Sequence, residues 1–145
     1  MSCVIVDTSL AVKWAIEESH SREARLLRDE WKTQQIVPIV PSWFACEIAN
    51  VLFQRMRDKT ITLAGAQQAI QTILGAVVVR DSDPAVALRA LELAVQFRLQ
   101  ASYDAQYLAL AEHLGCDLWT AADRFRNRVK GTFSWVRSLG EVVAS

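Results

Sequence analysis

Near the start of the chain, Cys3-Val4-Ile5-Val6-Asp7-Thr8-Ser9 places a carboxylate directly after a short apolar run. Four apolar residues at this point predict a buried strand, since they are too few for a helix of their own. Open α/β sheets bind ligands just outside the carboxyl ends of their strands. Asp7 is therefore the first candidate for a functional site, with an N-cap of the next helix as the alternative.

Composition predicts one globular domain over residues 1–145. Hydrophobic residues make up 52% of the chain and charged residues 22%, as in ordinary globular proteins. The 16 basic and 16 acidic residues give a formal net charge of zero, which does not favour general nucleic-acid binding but leaves a local basic patch open. No apolar run approaches the ~18 residues that a membrane span needs, and no signal-peptide pattern is found.

The three cysteines, Cys3, Cys46 and Cys116, lie far apart in apolar surroundings. This spacing predicts buried free thiols. Free thiols are typical of a reducing compartment, so we expect a cytoplasmic location.

Short apolar runs alternate with segments of helical periodicity along the chain. The predicted strands are Cys3–Val6, Ile36–Ile39, Val77–Val79, Cys116–Trp119 and Phe133–Val136. The predicted helices are Leu10–Ile16, Ser21–Lys32, Trp43–Arg57, Leu63–Leu74, Pro84–Phe97 and Tyr103–Leu114. Ser42, Asp83 and Ser102 are helix-start signals, and Gly115 is a stop signal. The alternation predicts a three-layer α/β/α fold with a central, mainly parallel sheet of about five strands.

Two further acids lie in half-apolar helical settings. Glu47 borders the apolar face formed by Phe44, Ile48 and neighbouring residues, and Asp104 shares a face with Leu108. Taken singly, each has an ordinary explanation, since Glu favours helices and acids favour a first helical turn. If both converge with Asp7, each pair ~5 Å apart repels by ~3 kcal/mol at an effective dielectric of about 20. Protonation or a bound cation must relieve this repulsion, and oxygen ligands favour Mg²⁺ or Mn²⁺.

Three segments in order resemble the PIN domain, and most closely the VapC toxins of bacterial toxin–antitoxin pairs. They are Val4–Ser9, Pro41–Trp43 with Glu47–Leu52, and Tyr103–Glu112. The resemblance implies a Mg²⁺-dependent endoribonuclease with a PIN-like α/β/α fold. It also implies RNA as the substrate, a VapB antitoxin as the inhibitory partner, and homodimers. Asp7, Glu47 and Asp104 fall on the first three acids of the family.

The fourth acid of the family departs from the pattern. Aligned on Thr120 and Arg124-Phe125, the position where the family has Asp is Ala122, and Asp123 follows one residue later. A shift of one residue turns a side chain by about 100° on a helix or reverses its face on a strand. Asp123 is therefore a candidate fourth acid, and a site of three acids is the alternative.

The resemblance and the residues together give a mechanistic hypothesis. Asp7 and Asp104 hold Mg²⁺ at the scissile phosphate, and Glu47 completes the site or helps to deprotonate the nucleophile. Thr120 and Ser9 are expected to hydrogen-bond the carboxylates.

Charged and aromatic residues elsewhere have two readings each. A basic cluster follows Asp123, and either an RNA-backbone role or a solvated helix surface fits it. Its members are Arg124, Arg126, Arg128 and Lys130. The large aromatic residues near the N-terminal helices are core residues or anchors for an antitoxin. They are Trp14, Trp31, Trp43 and Phe53.

Two other functions stay open on the sequence. The first is a PIN-fold binding partner with weak or no nuclease activity, because of Ala122. The second is a phosphatase or phosphotransferase of another α/β class, which ranks lower because Asp7-Thr8-Ser9 lacks the usual Asp-x-Asp.

Overall fold

A parallel sheet carries the first predicted strand at its centre. The computed structural model describes residues 2–81, 83–100 and 102–144. Within them, five strands form: β1 (Cys3–Val6), β2 (Val37–Pro41), β3 (Val78–Arg80), β4 (Asp117–Thr120) and β5 (Val136–Ser138). The strand order is β3-β2-β1-β4-β5, and every neighbouring pair is parallel. The order therefore reverses at β1, and a crevice is expected at the carboxyl ends of β1 and β4.

Helices cover both faces of this sheet, as the predicted three-layer α/β/α fold requires. The helices within the described residues are α1 (Thr8–Ala11), α2 (Ser21–Thr33), α3 (Phe44–Arg57), α4 (Leu63–Gly75), α5 (Pro84–Gln96), α6 (Ser102–Leu114), α7 (Asp123–Val129) and α8 (Leu139–Ala144). Consecutive strand residues point to opposite faces, and Val4, Ile5 and Val6 are all buried. Helix α6 packs against β1, β2 and β4, which sets its first turn beside the end of β1. None of the helices described is long and apolar enough to cross a membrane.

The helix-end signals are confirmed in part. Asp83 caps α5 through the N–H of Ala85 at 2.8 Å, and Gly115 ends α6 with a φ of 68°. Ser42 is not the cap of α3, because Trp43 occupies that position without a side-chain hydrogen bond. Ser102 is the first residue of α6 rather than its cap, and Ala101 before it lies outside the described residues.

Pro38 lies within β2, although β2 is an inner strand. The N–H of Val37 donates to the Ser2 carbonyl oxygen on the β1 side, at 3.0 Å. The nitrogen of the next residue faces the β3 side, where pairing begins only at Ile39. The missing N–H of Pro38 therefore costs no bond of the ladder.

The cysteine prediction is wrong. Cys3 and Cys116 form a disulfide bond between β1 and the residue before β4, with their Cα atoms 5.6 Å apart. Cys46 is free, but it is exposed rather than buried. The pairing escaped the sequence because 113 positions separate the two residues, and only the register of β1 with β4 brings them side by side.

Candidate active site

Asp7 lies where the sequence predicts, directly after β1 and buried to 4% exposure. Its Oδ1 accepts hydrogen bonds from Ser9 Oγ at 2.7 Å and from the N–H of Leu10 at 3.2 Å. The second of these bonds makes Asp7 the N-cap of α1, so the N-cap alternative is confirmed, while the role of Asp7 in a functional site stays a prediction. A residue can cap a helix and serve a site together, because a carboxylate has lone pairs for several partners.

Thr120, at the end of β4, donates to Asp7 Oδ2 at 2.5 Å. Ser9 Oγ lies 3.2 Å from Thr120 Oγ1 and accepts from the N–H of Ala121 at 3.0 Å. The expectation that Ser9 and Thr120 hydrogen-bond a carboxylate is therefore confirmed at Asp7. These bonds join the carboxyl ends of the two central strands, and they leave one lone pair of Oδ2 without a donor among the described residues.

Burial raises the pKa of Asp7 from its ordinary value of 3.8 to about 6, although hydrogen bonds from Thr120, Ser9 and Leu10 act to lower it. The charge of Asp104 raises this pKa further. Asp104 is half-buried in the first turn of α6, and burial followed by the charge of Glu47 raises its own pKa. The charge of Glu47 therefore raises the pKa of Asp104, and the charge of Asp104 raises the pKa of Asp7.

Tyr107 is a site residue that the sequence analysis missed. Its hydroxyl donates to Glu47 Oε1 at 2.8 Å, and its side chain is almost fully buried. Its ring packs edge-on against Trp43, with centroids 5.0 Å apart. Burial, then the charges of Glu47 and Asp7, raise the pKa of Tyr107, so the hydroxyl stays a donor. A buried Tyr one turn after Asp104 was the available signal, since a buried Tyr hydroxyl usually has a partner.

The acids have no cationic partner among the described residues. No Lys, Arg or His side chain of 2–81, 83–100 or 102–144 forms an ion pair with Asp7, Glu47 or Asp104. Burying an anion without a counter-charge costs free energy. Carboxylates at an empty cation site are usually in this situation.

The sequence profile of the PIN domain matches residues 4–130. The chain belongs to the PIN-domain family. This membership removes the ground for a phosphatase of another α/β class. No curated protein sequence matches the chain at a significant level.

Solved structures with the same fold include three from different organisms. PAE2754 from Pyrobaculum aerophilum has a TM-score of 0.70 and 22% identity, covering 99% of this chain and 91% of its own. VapC20 from Mycobacterium tuberculosis, a toxin that cleaves the sarcin-ricin loop, has a TM-score of 0.66 and 19% identity, covering 86% and 93%. VapBC2 from Rickettsia felis, bound to a DNA fragment from its promoter, has a TM-score of 0.68 and 13% identity, covering 94% and 96%. At these identities the likeness is one of fold.

The predicted fourth acid of this PIN domain, Asp123, lies beside the carboxyl end of β5. A Cβ atom built on Gly140 would lie 3.2 Å from Asp123 Oδ1 and 3.4 Å from Ser138 Oγ, so the Asp123 carboxylate faces the end of β5. Ala122, in contrast, lines the same cleft as Asp104. The one-residue shift between Ala122 and Asp123 therefore separates a side chain beside Asp104 from one beside β5. The role of Asp123 stays a prediction.

The acids fit a divalent cation only in part. All candidate donors are oxygens, and their pairwise repulsion favours a bound cation. However, no group of three or more His, Cys, Asp or Glu side chains within the described residues is already arranged to hold a metal ion. Binding of an ion therefore needs a small rearrangement or uses only two of the acids.

A larger cavity, of about 940 Å³, lies elsewhere. It opens between α2 and α4 at the opposite, amino-terminal edge of β2 and β3, where Val37 and Val78 begin their strands. We place the candidate active site at the acids, although their cleft is smaller, because metal-dependent catalysis requires neighbouring carboxylates rather than a large cavity.

Proposed function

We propose that this PIN domain is a metal-dependent endoribonuclease, the toxin of a VapBC-type toxin–antitoxin pair. The observation behind the proposal is the position of Asp7, buried at the carboxyl end of β1 where ligands of such sheets bind, with Asp104 near enough to raise its pKa and Glu47 near enough to raise that of Asp104. Membership of the PIN family and the shared fold with VapC20, a toxin that cleaves RNA of the sarcin-ricin loop, support it.

In this proposal Asp7 and Asp104 hold Mg²⁺ or Mn²⁺. When bound, such an ion stabilises the charge that develops on the phosphate during hydrolysis. Hydrogen bonds from Ser9, Thr120 and the N–H of Leu10 would hold the Asp7 carboxylate in place for the ion. Glu47, fixed by the Tyr107 hydroxyl, accepts a proton from the attacking water.

The test is cleavage of single-stranded RNA with Mg²⁺ or Mn²⁺ by the wild type, Asp7→Asn and Asp58→Asn. Asp58 is an exposed acid after α3 and serves as the matched control. We expect cleavage by the wild type and by Asp58→Asn, loss with EDTA, and a rate for Asp7→Asn lower by at least about a hundredfold. Equal rates for wild type and Asp7→Asn would reject the assignment.

A PIN-fold binding partner with little or no nuclease activity is the second candidate. Two observations favour it: Ala122 stands at the fourth acid position, and the acids described are not preassembled around an ion. Ala122→Asp separates the two functions. If the missing acid limits activity, this variant cleaves RNA faster than the wild type, whereas a pure binding protein stays inactive in both forms.

We also propose a VapB-type antitoxin as the partner. Fewer of the aromatic residues predicted to anchor it are accessible than the sequence indicates. Trp14 and Trp31 are buried and pack edge-on at 6.5 Å, and Trp43 is half-buried, so Trp14 and Trp31 cannot serve as surface anchors. Phe53 on α3 is 52% exposed and stays a candidate. If a neighbouring gene encodes a small DNA-binding protein, Phe53→Ala should weaken its complex with the toxin, and unchanged binding would exclude Phe53 as an anchor.

A further inference from the structure

A cleft of about 290 Å³ opens beside Asp104, between the turn that joins α5 to α6 and the start of α7. Ala122, Gln100 and the two guanidinium groups of Arg124 and Arg128 line it together with Asp104. The cleft thus brings two cations next to one of the coupled acids.

The structure separates the four basic residues of the cluster after Asp123. Arg126 forms an ion pair with Glu141 on α8. Lys130 is exposed at the far end of α7 and does not line the cleft. Arg124 and Arg128 line the cleft, so two of the four basic residues are placed to bind a ligand there.

Arg128 is held in position before any ligand binds. Its Nη1 donates to the Arg98 carbonyl oxygen at 2.6 Å and to the Phe97 carbonyl oxygen at 3.4 Å, at the carboxyl end of α5. A guanidinium has five N–H groups, so Nη2 and Nε remain available to an anion. A fixed guanidinium that is only partly satisfied is suited to bind phosphate oxygens.

Arg124 is exposed and forms no ion pair with any residue of the described ranges. The methyl group of Ala122 adds no negative charge to the lining, whereas an acid there would cancel one arginine. With Asp104 ionised, the lining residues sum to one net positive charge from Arg124 and Arg128. A positive cleft beside repelling acids is what a polyanion needs in order to approach them.

We propose that this cleft, beside the acids, binds the phosphodiester backbone of single-stranded RNA through Arg124 and Arg128. The inference rests on the proposed function for the identity of the polymer. A positively charged groove that follows the backbone is the usual way to bind a single strand. Arg128, held by the Arg98 carbonyl oxygen, supplies a fixed contact, and the exposed Arg124 supplies the second charge.

The test measures RNA binding apart from cleavage. Fluorescence anisotropy with a short labelled single-stranded RNA in EDTA compares the full-length wild type with Arg124→Ala and Lys130→Ala. Each variant removes one positive charge, Arg124 from the first turn of α7 and Lys130 from the residue that follows α7, so Lys130→Ala is the matched control. We expect Arg124→Ala to weaken binding about tenfold and to lower the slope of log affinity against log salt by about 1, and Lys130→Ala to change both little.

Equal losses in the two variants, or none in either, would overturn the cleft. Arg128→Ala also removes a contact with the end of α5, so a change in its RNA binding could reflect a loss of stability, which its melting temperature measures. The proposal is therefore judged on Arg124→Ala. Cleavage with metal is assayed in parallel. If the wild type cuts no RNA but Arg124→Ala still weakens binding selectively, the proposed function fails and the cleft stands. If the wild type cuts RNA and the two variants bind alike, the cleft fails and the function stands.

Discussion

The buried side chain of Asp7 caps α1 and links β1 to β4 through Thr120, and we propose that it also belongs to the metal site. Hydrogen bonds offset only part of the cost of burying its charge, as its raised pKa indicates. We therefore expect the free energy of unfolding of the metal-free protein to fall as the pH rises past the pKa of Asp7.

We expect Asp7 to destabilise the metal-free protein as the pH rises from about 4 to about 6. Its folded pKa lies above the unfolded one, so the folded state binds the proton more tightly, and this advantage is lost as the pH passes the folded pKa. The difference between 3.8 and about 6 corresponds to about 3 kcal/mol. Urea unfolding of wild type and Asp7→Asn in EDTA checks this: Asp7→Asn should gain stability relative to the wild type between pH 4 and pH 7, roughly by that amount. A pH-independent difference between the two proteins would contradict it.

Tyr107 is the second residue on which the site depends. Tyr107→Phe removes the donor to Glu47, so we expect a loss of about 1–2 kcal/mol in the free energy of unfolding and weaker binding of Mn²⁺. Tyr103→Phe is the control, because Tyr103 lies on the same helix, packs against Trp43 at 5.5 Å and is 59% exposed. Chemical unfolding and metal titration measure the two effects. Identical behaviour of the two variants would remove Tyr107 from the site.

At the scale of elements, β1 and β4 are linked at both ends, next to the proposed site. A disulfide bond joins them at their amino ends, and the Asp7–Thr120 hydrogen bond joins them at their carboxyl ends. Helices α3 and α6 then add Glu47 and Asp104 from the side. The packing of Trp43 against Tyr103 and Tyr107 holds these two helices together.

Reduction of the disulfide should therefore destabilise the protein. We expect Cys3→Ser to lower the free energy of unfolding by about 2–5 kcal/mol and to make it insensitive to reductant, because the bond closes a loop of 113 positions. Cys46→Ser should leave both properties unchanged, since Cys46 is exposed and free. Denaturant unfolding with and without dithiothreitol checks this. Three titratable thiols in the native wild type would show that the bond does not form in solution.

The elements also show what local sequence signals can and cannot predict. The run before Asp7 and the Asp83-Pro84 start gave correct boundaries, because strand and cap signals lie within a few residues. Helices α7 and α8 were missed, since they are short and α7 is rich in polar residues. The Tyr107–Glu47 bond spans 60 positions and the disulfide 113, so both depend on tertiary packing that periodicity does not contain.

At the scale of the whole molecule, α5 leaves an apolar stripe on the surface. Leu88, Leu91 and Val95 are 65%, 60% and 78% exposed, at the i, i+3 and i+7 spacing of one helix face. Monomeric proteins rarely leave such a row uncovered. The stripe therefore supports the homodimer that the family resemblance implies.

We expect the wild type to elute as a dimer and Leu91→Glu as a monomer, because a buried carboxylate at the interface would lack a partner. Leu26→Glu is the control, since Leu26 is a 53% exposed leucine on α2, away from the stripe. Size-exclusion chromatography with light scattering gives the masses. A monomeric wild type would reject the dimer, and dissociation by both variants would reject this interface.

We propose that Asp7, Asp104 and Glu47 form one site for a divalent cation. Calorimetric titration of Mn²⁺ into the metal-free wild type, Asp104→Asn and Asp58→Asn measures this binding. We expect one site per chain in the wild type and in Asp58→Asn, with binding lost or weakened at least about tenfold in Asp104→Asn. No binding by the wild type, or equal binding by all three proteins, would contradict it.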